Sequence, residues 1–139
     1  RVDVAMKLGA HGIHIGQDDE DFRRVIKMAP PTMIVGVSVD TAQQARIAHA
    51  AGADYLGAGA VFSTQTKTDA PVIGIDGLKS IVSAVDIPVA AIGGITLENL
   101  PQAIEAGAKY YAVISDLNSA PNISARFNAF LQVIAQTSR

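Results

Sequence analysis

Cysteine is absent from the chain, which removes disulfides, thiolate zinc sites and cysteine nucleophiles at once and fits a reducing compartment. Tryptophan is absent too. Neither charge sign dominates: 11 Lys and Arg face 13 Asp and Glu, a formal net charge of −2. No segment carries the basic stripe that a nucleic-acid or anionic-membrane partner needs, which leaves small charged metabolites as the expected ligands. Long apolar runs are missing as well. A stretch such as Ile87 to Ile92 meets Gly within a few residues, far short of the roughly 20 that a membrane span requires. No leader pattern opens the chain, because Arg1-Val2-Asp3 runs straight into an amphipathic segment, so the expected location is cytoplasmic. What is present is 139 residues, 49% of them hydrophobic, enough for one core of ordinary size and too few for two. One folded unit over residues 1–139 is expected.

Apolar runs of strand length recur at Gly12–Gly16, Met33–Val37, Tyr55–Ala60, Val89–Ile92 and Tyr111–Ile114. Between and after them lie helical stripes: Phe22, Val25, Ile26 and Ala29; Leu78, Ile81, Val82 and Val85; Leu97, Leu100 and Ile104; Phe127, Phe130, Leu131 and Ile134. Wholly apolar strands alternating with amphipathic helices predict an α/β fold around a buried parallel sheet. Helix starts are marked by Asp18, by Thr41 with Gln44 three residues on, by Asp76 and by Thr96, whose side-chain oxygens suit free helix N–H groups. A Gly-Ala pair precedes three strands, at Gly9-Ala10, Gly52-Ala53 and Gly107-Ala108; left-handed glycine there ends a helix and turns the chain into the strand. Three strands start about 21 or 22 residues after the one before, compact spacing for helix-covered parallel strands. The interval between Ala60 and Val89 instead holds an extra loop, Val61 to Gly74, rich in hydroxyls and with one Lys.

Parallel α/β folds gather ligands at the carboxyl ends of their strands. Each polar feature of the chain falls at such an end: Gly16-Gln17-Asp18-Asp19, Val37-Ser38, Ser63 to Lys67, Gly93-Gly94 and Ile114-Ser115. In Gly93-Gly94-Ile95-Thr96 small residues let an anion approach backbone N–H groups at a helix start, although a tight turn with a Thr cap would use the same residues. Ser115, ending the next strand, favours the anion, because loops after the last two strands hold a phosphate in many barrels. Thr64 and Thr66 offer two hydroxyls on one side of an extended segment, and Lys67 adds a point charge suited to phosphate oxygens. A solvated polar loop would look alike. Asp18 and Asp19 read either as a helix cap with a dipole-favoured neighbour or as hard-oxygen ligands for Mg2+, which takes only one or two protein carboxylates. His11, His14 and His49 form no usable spacing, with His14 alternating within a strand. Met6, Met28 and Met33 read as core.

Taken in order and at this spacing, GIHIGQDD, GVS, the TQTK loop, AIGGIT and AVIS resemble the thiamin phosphate synthase family, from Arg1 nearly to the end of the chain. The resemblance implies a TIM (βα)8-type barrel, here an incomplete barrel of about five βα units with parallel strands. It implies a transferase that couples hydroxymethylpyrimidine diphosphate to hydroxyethylthiazole phosphate, releasing pyrophosphate with Mg2+. On the matching positions it makes Asp19 a metal ligand and Ser38 and Lys67 the holders of the pyrimidine diphosphate. Thr64, Thr66, Gly94, Ile114 and Ser115 become binders of the thiazole phosphate, the last three mainly through backbone groups.

Three departures qualify the match. Ser63 and Ala60 stand where the family usually has Pro, which leaves the loop looser. Asp116 stands in place of a small residue and adds a negative charge beside the phosphate site. The third is length: five strands in 139 residues scale to roughly 220 for eight. By resemblance the chain starts just after an Asn-Asp pair whose Asp is the second metal ligand, so alone it is expected to be inactive or impaired. An open arc exposes two sheet edges, and a second copy or a complementing chain is the expected protein partner. The competing readings are a non-catalytic phosphate-binding pseudoenzyme or barrel fragment, and a related thiazole tautomerase. The tautomerase is disfavoured by the Thr-x-Thr-Lys segment, the acidic metal positions and Asp40 where that group commonly carries His.

Overall fold

The computed structural model describes residues 2–16, 19, 21–64 and 71–137. Strands β1 (Gly12–Ile15), β2 (Ile34–Val39), β3 (Tyr55–Ala58), β4 (Val89–Ile92) and β5 (Tyr110–Ala112) pair in parallel, each with the next in the chain. Helices α1 (Val2–Lys7), α2 (Phe22–Met28), α3 (Ala42–Ala51), α4 (Gly74–Val82) and α5 (Leu100–Glu105) alternate with them, and α6 (Ser115–Asn118) and α7 (Ile123–Thr137) close the chain. Among the described residues no helix is long and apolar enough to cross a membrane.

Strand side chains alternate between two faces, so the register sorts them. Ile15, Val35, Val37, Val39, Leu56, Ala58, Val89 and Ala91 lie on one face and are buried, in core clusters shared with Val2, Val25, Ala45, Ala48, Leu78, Ile81, Leu100, Ala103 and Phe130 from the helices. The other face carries Gly12, His14, Ile34, Gly36, Ser38, Tyr55, Gly57, Ala90, Ile92, Tyr110 and Ala112, aligned by the pairs His14 with Gly36, Gly36 with Tyr55, Gly57 with Ala90 and Ala90 with Tyr110. None of its side chains belongs to the core clusters that the helices form with the sheet. Ile34 is 53% exposed there and Tyr110 57%. Helices on one face only, with strands in chain order, make this an arc of a (βα) barrel rather than a doubly wound sheet. The apolar strands are therefore buried on one side, not on both as their composition suggested.

Local signals account for most boundaries. Thr41 and Gln44 form a reciprocal capping box at α3, and Gly52 ends that helix at φ +100°, in the left-handed region. Gly9 and Gly107 take the same region before β1 and β5. Asp76 lies inside the first turn of α4, where its charge suits the helix dipole without capping it. Thr96 braces a turn ahead of α5, whose capping position is Asn99. The start of α2 is capped by Asp21, whose carboxylate accepts the Arg23 N–H; Asp18 lies outside the described residues.

Candidate functional site

In a parallel sheet all strand carboxyl ends share one rim, and the described candidates sit there in two groups. At the β1 and β2 end, Asp19 follows β1 and its carboxylate accepts the Gly16 N–H at 2.7 Å. Ser38 lies near the end of β2 on the open face, its hydroxyl 2.9 Å from Nε2 of His14. Nδ1 of the same ring lies 2.9 Å from the Tyr55 hydroxyl. Glycine makes the space for these rings: a Cβ on Gly36 would run into the Tyr55 ring, and one on Gly57 would come within 3.0 Å of the His14 ring. His14, one of three histidines without a usable spacing, joins Ser38 to Tyr55. The signal lies in the strand register and the facing glycines, not in histidine spacing.

A neutral imidazole donates from one nitrogen and accepts at the other, which the two hydroxyls satisfy in either tautomer. Much of His14 stays accessible from the open face. Crowding by its neighbours nevertheless desolvates the ring enough to lower its pKa below the ordinary 6.5, against an opposing pull from Asp19. Burial raises that of Tyr55. A lowered histidine pKa contributes stability that is present above the ordinary value and lost as pH falls through the lowered one. Urea midpoints are therefore expected to drop between pH 7 and pH 5, and His14→Gln to flatten that slope. An unchanged slope would remove His14 as its source.

The second group is built by three loops tied together. Val61 and Phe62 donate backbone N–H bonds to Ile92 and Gly93 carbonyls at 2.9 and 3.0 Å, folding the loop after β3 onto the end of β4. Val61 is fully buried. The start of this loop, expected to be loose for want of proline, is thus anchored through residue 62. Gly93 and Gly94 have φ of +92° and +64°, and a Cβ on Gly94 would meet the Ser63 carbonyl at 2.5 Å. That brings Phe62 and Ser63 against the glycine loop, with Thr64 next in the chain. Asn99 holds the loop from within, donating to the Gly94 carbonyl at 2.9 Å and accepting the Thr96 N–H at 2.8 Å.

Ser115 opens α6 and Ile114 precedes it, half of its surface exposed. The next residue, Asp116, accepts the Leu97 N–H at 3.3 Å and so pins this turn to the glycine loop. Its charge is not left bare, as the sequence suggested: Arg126 of α7 grips both carboxylate oxygens, Nη2 at 2.7 Å. That guanidinium holds the carboxyl below its usual pKa against the opposing effect of burial. Asp19 and Ser38 are thus linked through His14, and the Gly94 loop is tied to Ser63 on one side and, through Asp116, to the turn that Ser115 opens on the other. Thr66 and Lys67 lie outside the described residues.

No group of three or more His, Asp or Glu that could hold a metal forms among the described residues. Asp19 offers a single hard carboxylate. That suits an ion completing its shell with phosphate oxygens and water and does not suit an all-protein cage.

A family model described as thiamine monophosphate synthase matches residues 1–117. A thiamine-phosphate synthase of Pyrococcus horikoshii is 43% identical over 136 residues, covering 98% of this chain and 65% of the relative. One of Roseiflexus castenholzii is 46% identical over 137 residues, covering 98% of this chain and 60% of the relative. A solved thiamine phosphate pyrophosphorylase from Pyrococcus furiosus superposes with a TM-score of 0.88 at 39% identity, over 99% of this chain and 65% of that one. The chain therefore spans somewhat under two thirds of the length of such relatives.

Proposed function

The chain belongs to the thiamine monophosphate synthase family, and from that premise we propose that it supplies the thiazole-phosphate half, and part of the diphosphate half, of a thiamin phosphate synthase site. What supports this reading is the set of contacts at the strand carboxyl ends: Ser38 lies against His14, which feels the Asp19 charge, while Ser63 closes on Gly94 and Asp116, next to Ser115, accepts the Leu97 N–H. The reaction joins hydroxymethylpyrimidine diphosphate to hydroxyethylthiazole phosphate. It belongs to a closed barrel of which residues 1–139 provide five βα units as one domain, whether further strands of the same protein or a complementing chain provide the rest.

The chemistry matches the inventory. Departure of pyrophosphate from an aminopyrimidine methyl carbon leaves a cation that the ring stabilises, so cationic clamps on the leaving group matter more than a strong base. Lys67 supplies a point charge to the diphosphate and Ser38 a hydroxyl whose direction the His14 ring sets. Backbone N–H groups of Gly94, Ile114 and Ser115, with the hydroxyls of Thr64 and Thr66, hold the thiazole phosphate and fix the approach of the ring nitrogen to the cation. Asp19 would be a Mg2+ ligand, and the ion when bound would neutralise charge on the departing pyrophosphate. No covalent nucleophile is required. The setting is cytoplasmic, with small phosphorylated molecules as the ligands.

Titration of the two substrates separately, with and without Mg2+, tests the reading. Metal-dependent binding of the diphosphate and metal-independent binding of the thiazole phosphate are expected. Lys67→Ala should weaken the diphosphate at least tenfold and the thiazole phosphate by less than threefold, as removal of one charge-assisted contact predicts. Equal loss of both would contradict the assigned roles, and phosphate binding without any response to metal would favour a non-catalytic binding protein.

A further inference from the structure

We propose that Arg126 is a positioning residue for the anion site, its guanidinium neutralising Asp116 so that the turn holding Ser115 can receive a phosphate. The inference rests on the reading of Gly94 and Ser115 as that site. Asp116 is the residue directly after Ser115, and its side chain is only 6% exposed. A carboxylate so poorly solvated, beside a place meant for a dianion, repels the ligand unless its charge is met locally. It also occupies the Leu97 N–H, three residues beyond Gly94, which a ligand would otherwise compete for.

Arg126 meets the charge with a two-pronged grip, Nε on Oδ1 and Nη2 on Oδ2, the geometry in which guanidinium binds carboxylate most strongly. Its Nη2 also reaches Oε1 of Glu98 at 3.2 Å, and its Cζ sits 6.0 Å over the Phe130 ring. Glu98 is largely solvated, so water screens it. The clamp therefore joins the glycine loop, α6 and α7, and it cancels a shielded negative charge on this side of the rim. Asp116 stands where the resemblance expects a small residue.

Calorimetric titration of the full chain with inorganic phosphate and with hydroxyethylthiazole phosphate tests the proposal. Arg126→Met is expected to weaken both about tenfold by uncovering Asp116, with a loss that shrinks as salt is raised. Adding Asp116→Ser to that variant is expected to restore affinity to within about threefold of the parent, although the clamp's hydrogen bonds are gone. Arg126→Lys, which keeps the charge without the fork, should retain most of the binding. A purely structural tie predicts the opposite, with the double variant as weak as Arg126→Met, and that result, or no change in Arg126→Met, overturns the proposal. Should Arg126→Met fail to fold, Asp116→Asn carries the test: it should bind phosphate at least as tightly as the parent, and weaker binding overturns the proposal. An unsubstituted chain that binds neither ligand sinks the functional reading and this inference with it; binding that ignores Arg126 sinks the inference alone.

Discussion

Gly94→Ala is expected to abolish phosphate binding and to lower folding stability by about 2–4 kcal/mol. Two costs combine. At φ +64° an alanine must hold the left-handed conformation, at about 1 kcal/mol or somewhat more. Its Cβ would also stand 2.5 Å from the Ser63 carbonyl oxygen and 2.8 Å from the Phe62 Cβ. Neither side can give way easily, because Phe62 is bonded to the Gly93 carbonyl and the Gly94 carbonyl is held by Asn99. Relief has to come from separating the two loops, and their approach is what makes the pocket. Gly9→Ala is the control: φ is +62° but nothing lies within 4 Å of the added carbon. That variant should lose only about 1 kcal/mol and keep its affinity for phosphate. Urea denaturation and phosphate titration of both variants make the comparison. Gly94→Ala that still binds phosphate would show that the anion does not rest on this loop.

The same contrast explains what the sequence could and could not reveal. The Thr41 and Gln44 box and the left-handed glycines at 9, 52 and 107 are decided by neighbours within a few residues, and they were legible. The five strands were legible for a similar reason, as short apolar runs bounded by glycine or polar residues. An oxygen ahead of an apolar stripe signals a helix start wherever it falls: Thr96 does accept the Asn99 N–H at 3.3 Å one turn ahead of α5, while Asp76 lies within the first turn of α4, because packing selects the turn that becomes helix. Here Leu100, fully buried, belongs to α5 and half-buried Leu97 precedes it. The grouping of His14 with Ser38 and Tyr55 spans separations of 24 and 41 residues and exists only once the register aligns three strands. The neutralisation of Asp116 depends on a residue ten positions on, across a turn and into another helix. Rim residues were visible as types at strand ends; their partners were not. One-sided burial was hidden too, since apolar residues fill both faces of β4 although helices cover only one.

That asymmetry sets the second large effect. Leu56 and Tyr110 are both bulky strand residues, but they stand on opposite faces of the sheet, and their truncation should differ several-fold in cost. Leu56 is fully buried on β3, the central strand, in one cluster with Ala45, Ala48, Leu78 and Ile81 from α3 and α4. Pairing with β2 on one side and β4 on the other prevents the strand from moving to close a cavity. Leu56→Ala is therefore expected to cost about 3–5 kcal/mol, a large share of the 5–15 kcal/mol that holds an ordinary domain folded. Tyr110→Ala, on the open face of the edge strand at 57% exposure, should cost less than about 1 kcal/mol. Urea midpoints at constant denaturant slope separate the two. The Leu56 side chain points away from the face that bears Ser38, so the folded fraction of Leu56→Ala should keep the parent's phosphate affinity. Equal costs for the two truncations would mean that the open face is covered in solution as fully as the helical one, and the arc would then have to be redrawn as a closed wall.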